Sequence, residues 1–495
     1  MTEQSGSSAR VSGPEWNSHG RDMPGGRFPL QVEQAVLNPV SRLVPGVTTV
    51  TVHARYYALH GLTAHHAAEN ALSRTEAQSL VRRCEVIMGA ASLVDDQENS
   101  EFYGRPHGFR AMQDVLDGSD LDVEGVSSRG VYATGAWGFR ATYLGAERIL
   151  RIVAPGNTWK PAKRYDHKAV QSALEPVLEM ASRPMITASQ LREVAPLISI
   201  YRCSSGTDGR WLAELLCGSA TPQDSRRRTT LQMMARVIET QSVSSLTTSL
   251  LHTIAFGDFI EVDPVANASE VPAMWRGILL RNFSVGAWRR LWAWLVDQVC
   301  DGIAVSDVAL EDFFAEQLPT SSVDSMLAEL PDLEDPEGHP RPAEVMIRAE
   351  SAMNVFRELQ ILACGALRSQ QLQGVTRTVF NRVTGNDLDP QWMHERLRHS
   401  GPQSLQDFGR SLVREMLAKS RRVALSKAEV RDDGTLWIPS RLHQRGEQLF
   451  ATAREGSGDV GTRLAQLGRI AAACGVFGVD GQTWRVTDAG SALLA

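Results

Sequence analysis

Apolar side chains at Leu80, Cys84, Ile87, Met88, Ala91 and Val94 recur every three or four residues, the spacing that lines one face of an α-helix. Ser73-Arg-Thr-Glu76 stands just before them as a capping box, in which serine and glutamate each satisfy a free backbone N–H of the other. Together they predict a helix of about 20 residues. The same period marks Phe139 to Val153, Ala169–Met180, Ala188–Tyr201, Trp211–Cys217, Arg226–Gln241 and Ser244–Phe256. Thr48 to His53 alternates as a strand would, or leads into a helix carrying Arg55-Tyr56-Tyr57-Ala58-Leu59, and residues 100–136 read as loop. Four of the eleven tryptophans (Trp275, Trp288, Trp292, Trp294) fall between Val271 and Val299, with Arg276, Arg281, Arg289 and Arg290 among them. The stripe Trp288, Trp292, Leu295, Val299 reads as a helix facing a core with its arginines in water. That reading outweighs an interfacial membrane helix, and no stretch reaches the roughly 20 apolar residues of a membrane span.

Toward the end of the chain the pattern changes. Leu405, Phe408, Leu412 and Met416 form a helical stripe, with Arg410 and Arg414 on another face. Thr435–Ile438 and Gln448–Ala451 read as short strands. The glycine-rich Arg454–Gly461 opens a helix, N-capped by Asp459 or Ser457, whose buried stripe is Val460, Leu464, Leu467, Ala471 and Cys474. Val479-Asp480-Gly481 is a hairpin turn and Trp484–Thr487 the returning strand. Helix followed by hairpin resembles a winged helix. The expected fold is therefore mainly α and multidomain, with a C-terminal winged-helix-like α+β module. Its divisions are a disordered lead-in (1–28), an N-terminal helical domain (29–155), a central helical domain (156–330), an acidic Pro/Gly linker (331–342), a basic helical segment (343–425) and the winged-helix-like module (426–495).

The 495 residues carry a net charge of -6, but unevenly. Eleven acids and no Lys or Arg lie between Asp301 and Pro340, whereas Arg368 to Arg431 holds twelve basic residues against six acids, a local +6. The six cysteines are far apart and offer neither a zinc knuckle nor a disulfide framework, which suits a reducing cytoplasm. The first 28 residues hold no apolar run of the kind a secretory signal needs.

Catalytic patterns are sparse. His394 and His399 are five apart, one too many to share a helical face as zincin ligands do. His60, His65 and His66 scatter around a helix. There is no GxxxxGK[ST] loop and no GxSxG elbow, and Gly130, Gly135 and Gly138 do not make a GxGxxG turn. No motif calls for a cofactor or a metal. Glu261-Val-Asp263 could supply half of a carboxylate pair for a metal-dependent nuclease or other hydrolase built from middle-region carboxylates.

Three stretches, Leu43–Tyr57 with its Ala-Arg-Tyr-Tyr, Leu436-Trp-Ile-Pro-Ser-Arg441, and Arg454-Glu-Gly-Ser-Gly-Asp459, resemble an uncharacterised bacterial, actinobacterial-type family of large helical proteins often encoded near restriction or phage-defence genes. The resemblance implies a cytoplasmic component of a defence or mobile-element system and carries over no catalytic residue. With the basic stretch, it leads to the expectation of a non-enzymatic DNA-associated or complex-forming protein. Its phosphate-neutralising cations would be Arg421, Arg422, Lys427, Arg441, Arg454, Arg463 and Arg469. The expected partners are double-stranded DNA and the protein product of a neighbouring gene, with no membrane. The alternatives are the hydrolase and a purely structural docking subunit in complex with a neighbouring gene product; the bland reading of the basic stretch is that it clamps onto the acidic stretch of its own chain.

Overall fold

The computed structural model describes residues 28–95, 102–155, 157–303, 305–349, 352–382, 387–431 and 434–495, so all of the expected lead-in but Phe28 lies outside it. The chain is mainly helical, 61% helix. Its described residues divide into two compact units, one of 42–247 with 463–495, the other of 28–41 with 248–462. The divisions expected at 155/156 and along 331–342 both fall inside a unit.

The first unit is built from α1 (Arg55–Glu69), α2 (Arg74–Asp95), α3 (Arg140–Ile149), α4 (His167–Ala181), α5 (Ala188–Ile198), α6 (Thr207–Cys217) and α7 (Pro222–Thr240). The capping box forms as the sequence requires: Ser73 N donates to Glu76 Oε2 at 2.8 Å and Glu76 N to Ser73 Oγ at 3.3 Å. Behind it Val81, Cys84, Ile87, Met88 and Ala91 are buried. The α1 helix is buried from Arg55 to Ala64, and Thr48 to His53 leads into it as irregular backbone with a turn at Thr49 and Val50, not as a strand. Two small antiparallel pairs complete this part, β1 (Leu121–Asp122) with β4 (Met185–Ile186) and β2 (Val153–Ala154) with β3 (Asn157–Pro161).

The second unit is organised on the 31-residue α8 (Glu270–Cys300), with α9 (Asp307–Glu316), α10 (Val355–Gln371), α11 (Gly374–Phe380), α12 (Pro390–His399) and α13 (Leu405–Ser426). Trp275, Trp288 and Trp292 are buried, as a core stripe demands. The arginines between them are not in water, contrary to expectation. Arg276 and Arg281 are buried, and Arg290 holds Glu358 through bonds of 2.6 and 2.9 Å. A helix enclosed on most of its circumference has no wet face left, so each cation needs an internal acceptor or loses charge stabilisation. Burial pushes the Arg281 pKa down to about 10, with Asp389 opposing. Among the described residues, no helix is long and apolar enough to cross a membrane.

The acidic Pro/Gly run at 331–342 is an ordered part of this unit, not a free linker. Leu333 is buried beside Ala343 and Cys364, Arg341 N donates to Leu333 O, and the buried Arg368 guanidinium binds Leu333 O and the Glu344 carboxylate. Beyond α13 come the pairs β5 (Glu429–Val430) with β6 (Leu436–Trp437) and β7 (Leu442–Arg445) with β8 (Gln448–Ala451).

The chain then returns to the first unit with α14 (Leu464–Ala473) and the hairpin β9 (Phe477–Asp480) with β10 (Thr483–Val486), turned at Gly481 with φ +60°. Of the α+β module expected over 426–495, what is present is a set of small antiparallel strand pairs, β5–β6 and β7–β8 in the second unit and β9–β10 in the first. The α14 N-terminus also differs. The helix starts after Arg463, which has φ +63°, while Asp459 is drawn off to ion pairs with Arg290 (2.6 Å) and Arg348 (3.0 Å).

Candidate functional sites

The seven predicted cations are divided between the two units. Arg463 and Arg469 belong to the first unit, the other five to the second. Arg421 meets both Asp307 oxygens at 2.8 Å, and Arg422 binds Asp387. Arg441 binds Glu455 at 2.9 Å, and Arg454 bridges Asp297 and Asp301. Lys427 is half-buried, its Nζ 3.4 Å from Phe28 O, and burial lowers its pKa against the pull of Glu33. Arg463 is drawn inward to Val47 O at 3.1 Å. Arg469 stands exposed on α14.

The pairing follows the charge asymmetry of the sequence. Along α13, Arg410 binds Asp312, Arg414 binds Glu311 and Arg421 binds Asp307, so the basic face of α13 lies on the acidic face of α9. These pairs are exposed, and exposed pairs add little and are screened by salt. Neutralising Arg414 and Arg421 together should lower the urea midpoint slightly at low ionic strength and not at all near ~1 M salt. A loss that persists at high salt would show that packing, not charge, holds the two helices.

The hydrolase carboxylates are engaged in structural work. Glu261 accepts from Arg276 at 2.5 and 3.2 Å, and Asp263 Oδ1 accepts from the Val265 and Ala266 amides as a helix cap. His399 Nδ1 lies 2.6 Å from Glu395 O on α12. Among the described residues, one three-residue group has ligand spacing, Asp335, Glu337 and His339. It is a surface turn in which Asp335 Oδ1 already accepts from the Glu337 and His339 amides.

One buried titratable cluster among the described residues is not one that histidine spacing finds. His60 on α1 is fully buried, with Nδ1 2.5 Å from Glu147 Oε1 on α3 and Nε2 2.9 Å from Glu85 Oε1 on α2. Glu85 also accepts from Tyr132 Oη (2.7 Å) and from the Phe139 and Arg140 amides (2.9 Å each). Arg140 Nε stands 3.9 Å from Glu147 Oε2. Burial opposes charge on His60, but the two carboxylates outweigh it and the His60 pKa is raised. The neighbours behave oppositely. Burial lowers His53 to about 4 and takes His107 well below its ordinary value, so both are neutral near pH 7. Tyr143 Oη accepts from the His53 amide at 3.1 Å and lies 3.2 Å from His107 Nε2. Through His60 the cluster ties three helices together.

The residues of the three resembling stretches are equally structural. Arg55 reaches Asp208 at 2.8 and 3.2 Å and Ser199 O at 2.6 Å, all buried, and Tyr57 Oη donates to Gly46 O at 2.8 Å. The Arg441–Glu455 pair joins the second stretch to the third. No family model, no curated protein and no solved structure matches the chain.

Proposed function

We propose that the chain is a non-catalytic, complex-forming component that docks a protein partner on residues 425–451 of its second unit. The observation that carries this is a group of large apolar side chains held in the open there: Leu425 (60% exposed), Val430 (73%), Leu436 (58%) and Phe450 (42%). Exposed apolar residues gathered in one stretch mark interaction surfaces. A groove of about 240 Å³ lies within the same region, lined by Leu417 and Leu425 of α13 and by Leu442 and His443 of β7. The nearby arginines lie over aromatic rings, Arg431 over Trp437 at 5.5 Å and Arg445 over Phe450 at 5.7 Å. Arginine and aromatic residues are the side chains enriched at protein interfaces.

Charge favours protein over nucleic acid. Between 425 and 451 the sequence has four basic residues (Lys427, Arg431, Arg441, Arg445) and four acidic ones (Glu429, Asp432, Asp433, Glu447), which gives no net field for a polyanion. The basic face of α13 is matched by acids of its own unit. The expected partner presents an apolar segment of low net charge, and the family resemblance directs the search to the products of neighbouring genes.

The test is co-purification of those products with wild-type chain and with Val430→Glu/Leu436→Glu, beside fluorescence polarisation with a labelled DNA duplex and single strand at low and physiological salt. The expected result is a stable complex that the double substitution weakens by at least about tenfold, with unchanged circular dichroism and no salt-sensitive DNA binding. Salt-sensitive DNA binding that survives the substitution would overturn the reading in favour of a polyanion partner.

A further inference from the structure

We infer that the β2–β3 ribbon and the start of α4 form a docking surface for an acidic segment of a protein partner. This surface lies in the first unit and does not rest on the one proposed for residues 425–451. Its basis is charge complementarity. Residues 148–168 carry six basic side chains and one acid, a net +5 that leaves -11 for the rest of the chain. Three of the five lysines of the protein, Lys160, Lys163 and Lys168, stand here.

The backbone gathers these cations. Val153 pairs with Pro161, Ala162 N donates to Ile152 O at 2.8 Å, and Arg164 N donates to Arg151 O at 3.2 Å, which sets Arg151 across the ribbon from Lys163 and Arg164. The chain then enters α4 at His167, directly before Lys168. Arg164 turns inward to Asp224 at 2.8 Å. Arg151, Lys160, Lys163 and Lys168 are exposed, and among the described residues none of the four has an ion-pair partner. The acid among them, Asp166, is engaged as the α4 cap, its Oδ1 accepting from the Ala169 amide at 3.1 Å. On α13, by contrast, Arg410, Arg414 and Arg421 are each matched by an acid of their own unit.

Arg151 supplies an independent observation. The α3 helix ends in a Schellman motif, with Ile152 N donating to Glu147 O at 2.9 Å and Arg151 N to Arg148 O at 3.1 Å. Arg151 occupies the left-handed position of that motif, φ +59°, where glycine is the residue without strain. An arginine there costs stability, a trade met where a side chain serves binding. Two features select carboxylates over nucleic acid. Lysine is a flexible, hydrated point charge, whereas fork-like phosphate recognition belongs to arginine, and lysine is concentrated here in a chain whose other cations are nearly all arginine. A long polyanion would also run off so short a patch into the field of a net acidic chain, and a run of a few Asp or Glu does not.

The test is fluorescence polarisation of the full chain with a labelled octaglutamate peptide, beside octaglutamine and a DNA duplex, at about 50 and 200 mM salt. Octaglutamate is expected to bind at low salt and weaken severalfold at the higher salt, with no binding of octaglutamine or DNA. Lys160→Gln/Lys163→Gln/Lys168→Gln should weaken peptide binding at least about tenfold. Arg129→Gln/Arg469→Gln/Arg485→Gln removes the same charge from exposed positions elsewhere in the unit and should change binding less than about twofold. Arg151→Gly should melt about 2–4 °C higher and yet bind the peptide more weakly, a pair of effects that a purely structural residue does not give. Circular dichroism confirms that each variant folds. Absence of octaglutamate binding at low salt, equal losses in the two triple variants, or unchanged binding by Arg151→Gly would overturn the inference. DNA binding that the lysine substitutions abolish would overturn it too, by assigning the patch to nucleic acid.

Discussion

Glu85→Ala is expected to cost the first unit about 3–5 kcal/mol, the loss that follows removal of one partner from a buried charge pair. Four donors converge on this carboxylate: His60 Nε2, Tyr132 Oη and the Phe139 and Arg140 amides. Alanine leaves all four without it in a dry interior, and it leaves His60 with Glu147 alone. The effect also carries a pH signature. His60 has a raised pKa, so the folded chain holds its proton more tightly than the unfolded chain does. The stabilisation is fully present below the ordinary histidine value of 6.5 and is lost as pH rises through the higher folded value. Urea unfolding followed by tryptophan fluorescence from pH 6 to 9 should show wild-type stability falling with pH, and that slope flattened in Glu85→Ala. A variant within about 0.5 kcal/mol of wild type would mean that the pocket admits water and that His60 is not held as an ion.

The second large effect is expected at Arg55. Its guanidinium, 1% exposed, spans α1 to Asp208 on α6 and to Ser199 O. Arg55→Ala should cost about 3–5 kcal/mol, since it strands the fully buried Asp208 as an unpaired charge. Arg55→Met with Asp208→Leu removes both charges and should recover most of that loss, because replacing a buried pair by apolar groups of similar volume is often neutral. The measurement is a double-mutant cycle on unfolding free energies. Independent, additive losses would show that the two side chains stabilise the unit through separate contacts.

Much of the helical architecture was legible, and the reasons are local. The α2 helix follows from its capping box and its stripe, and the β9–β10 turn from Asp480-Gly481, because both are decided within a few residues. Charge asymmetry was legible too, but not its resolution. The sequence shows an acidic run and a basic run, and only their folding as α9 and α13 pairs Asp307, Glu311 and Asp312 with Arg421, Arg414 and Arg410. The His60 cluster escaped because the histidines were compared with one another, while the partners of His60 are glutamates 25 and 87 residues away. A trace of it was present: Glu85 lies between Cys84 and Val86, in the most apolar part of a helix otherwise filled by Val81, Ile87 and Met88, where an acid survives only if it is paired. The α14 cap was misplaced for the opposite reason. Asp459 has the right chemistry for a cap, and two arginines distant in sequence compete for it more strongly than the local backbone does.

The return of the chain to its first unit sets the order in which the protein is completed during synthesis. Trp484 N donates to Val243 O, Gln232 Nε2 to Leu494 O, and Arg463 Nη1 to Val47 O. Gly468 lies so close to Leu246 and Met234 that a methyl group there would collide with them. None of these contacts exists until residues 463–495 have left the ribosome. The part made first must therefore wait, with Val243, Leu246 and Met234 uncovered, while more than two hundred residues of the other unit are translated. At elongation rates of about 5–20 residues per second that interval is roughly ten to forty seconds, long enough for a chaperone to bind the open face. A nascent chain stalled before α14 would carry the same uncovered surface for as long as the stall lasts.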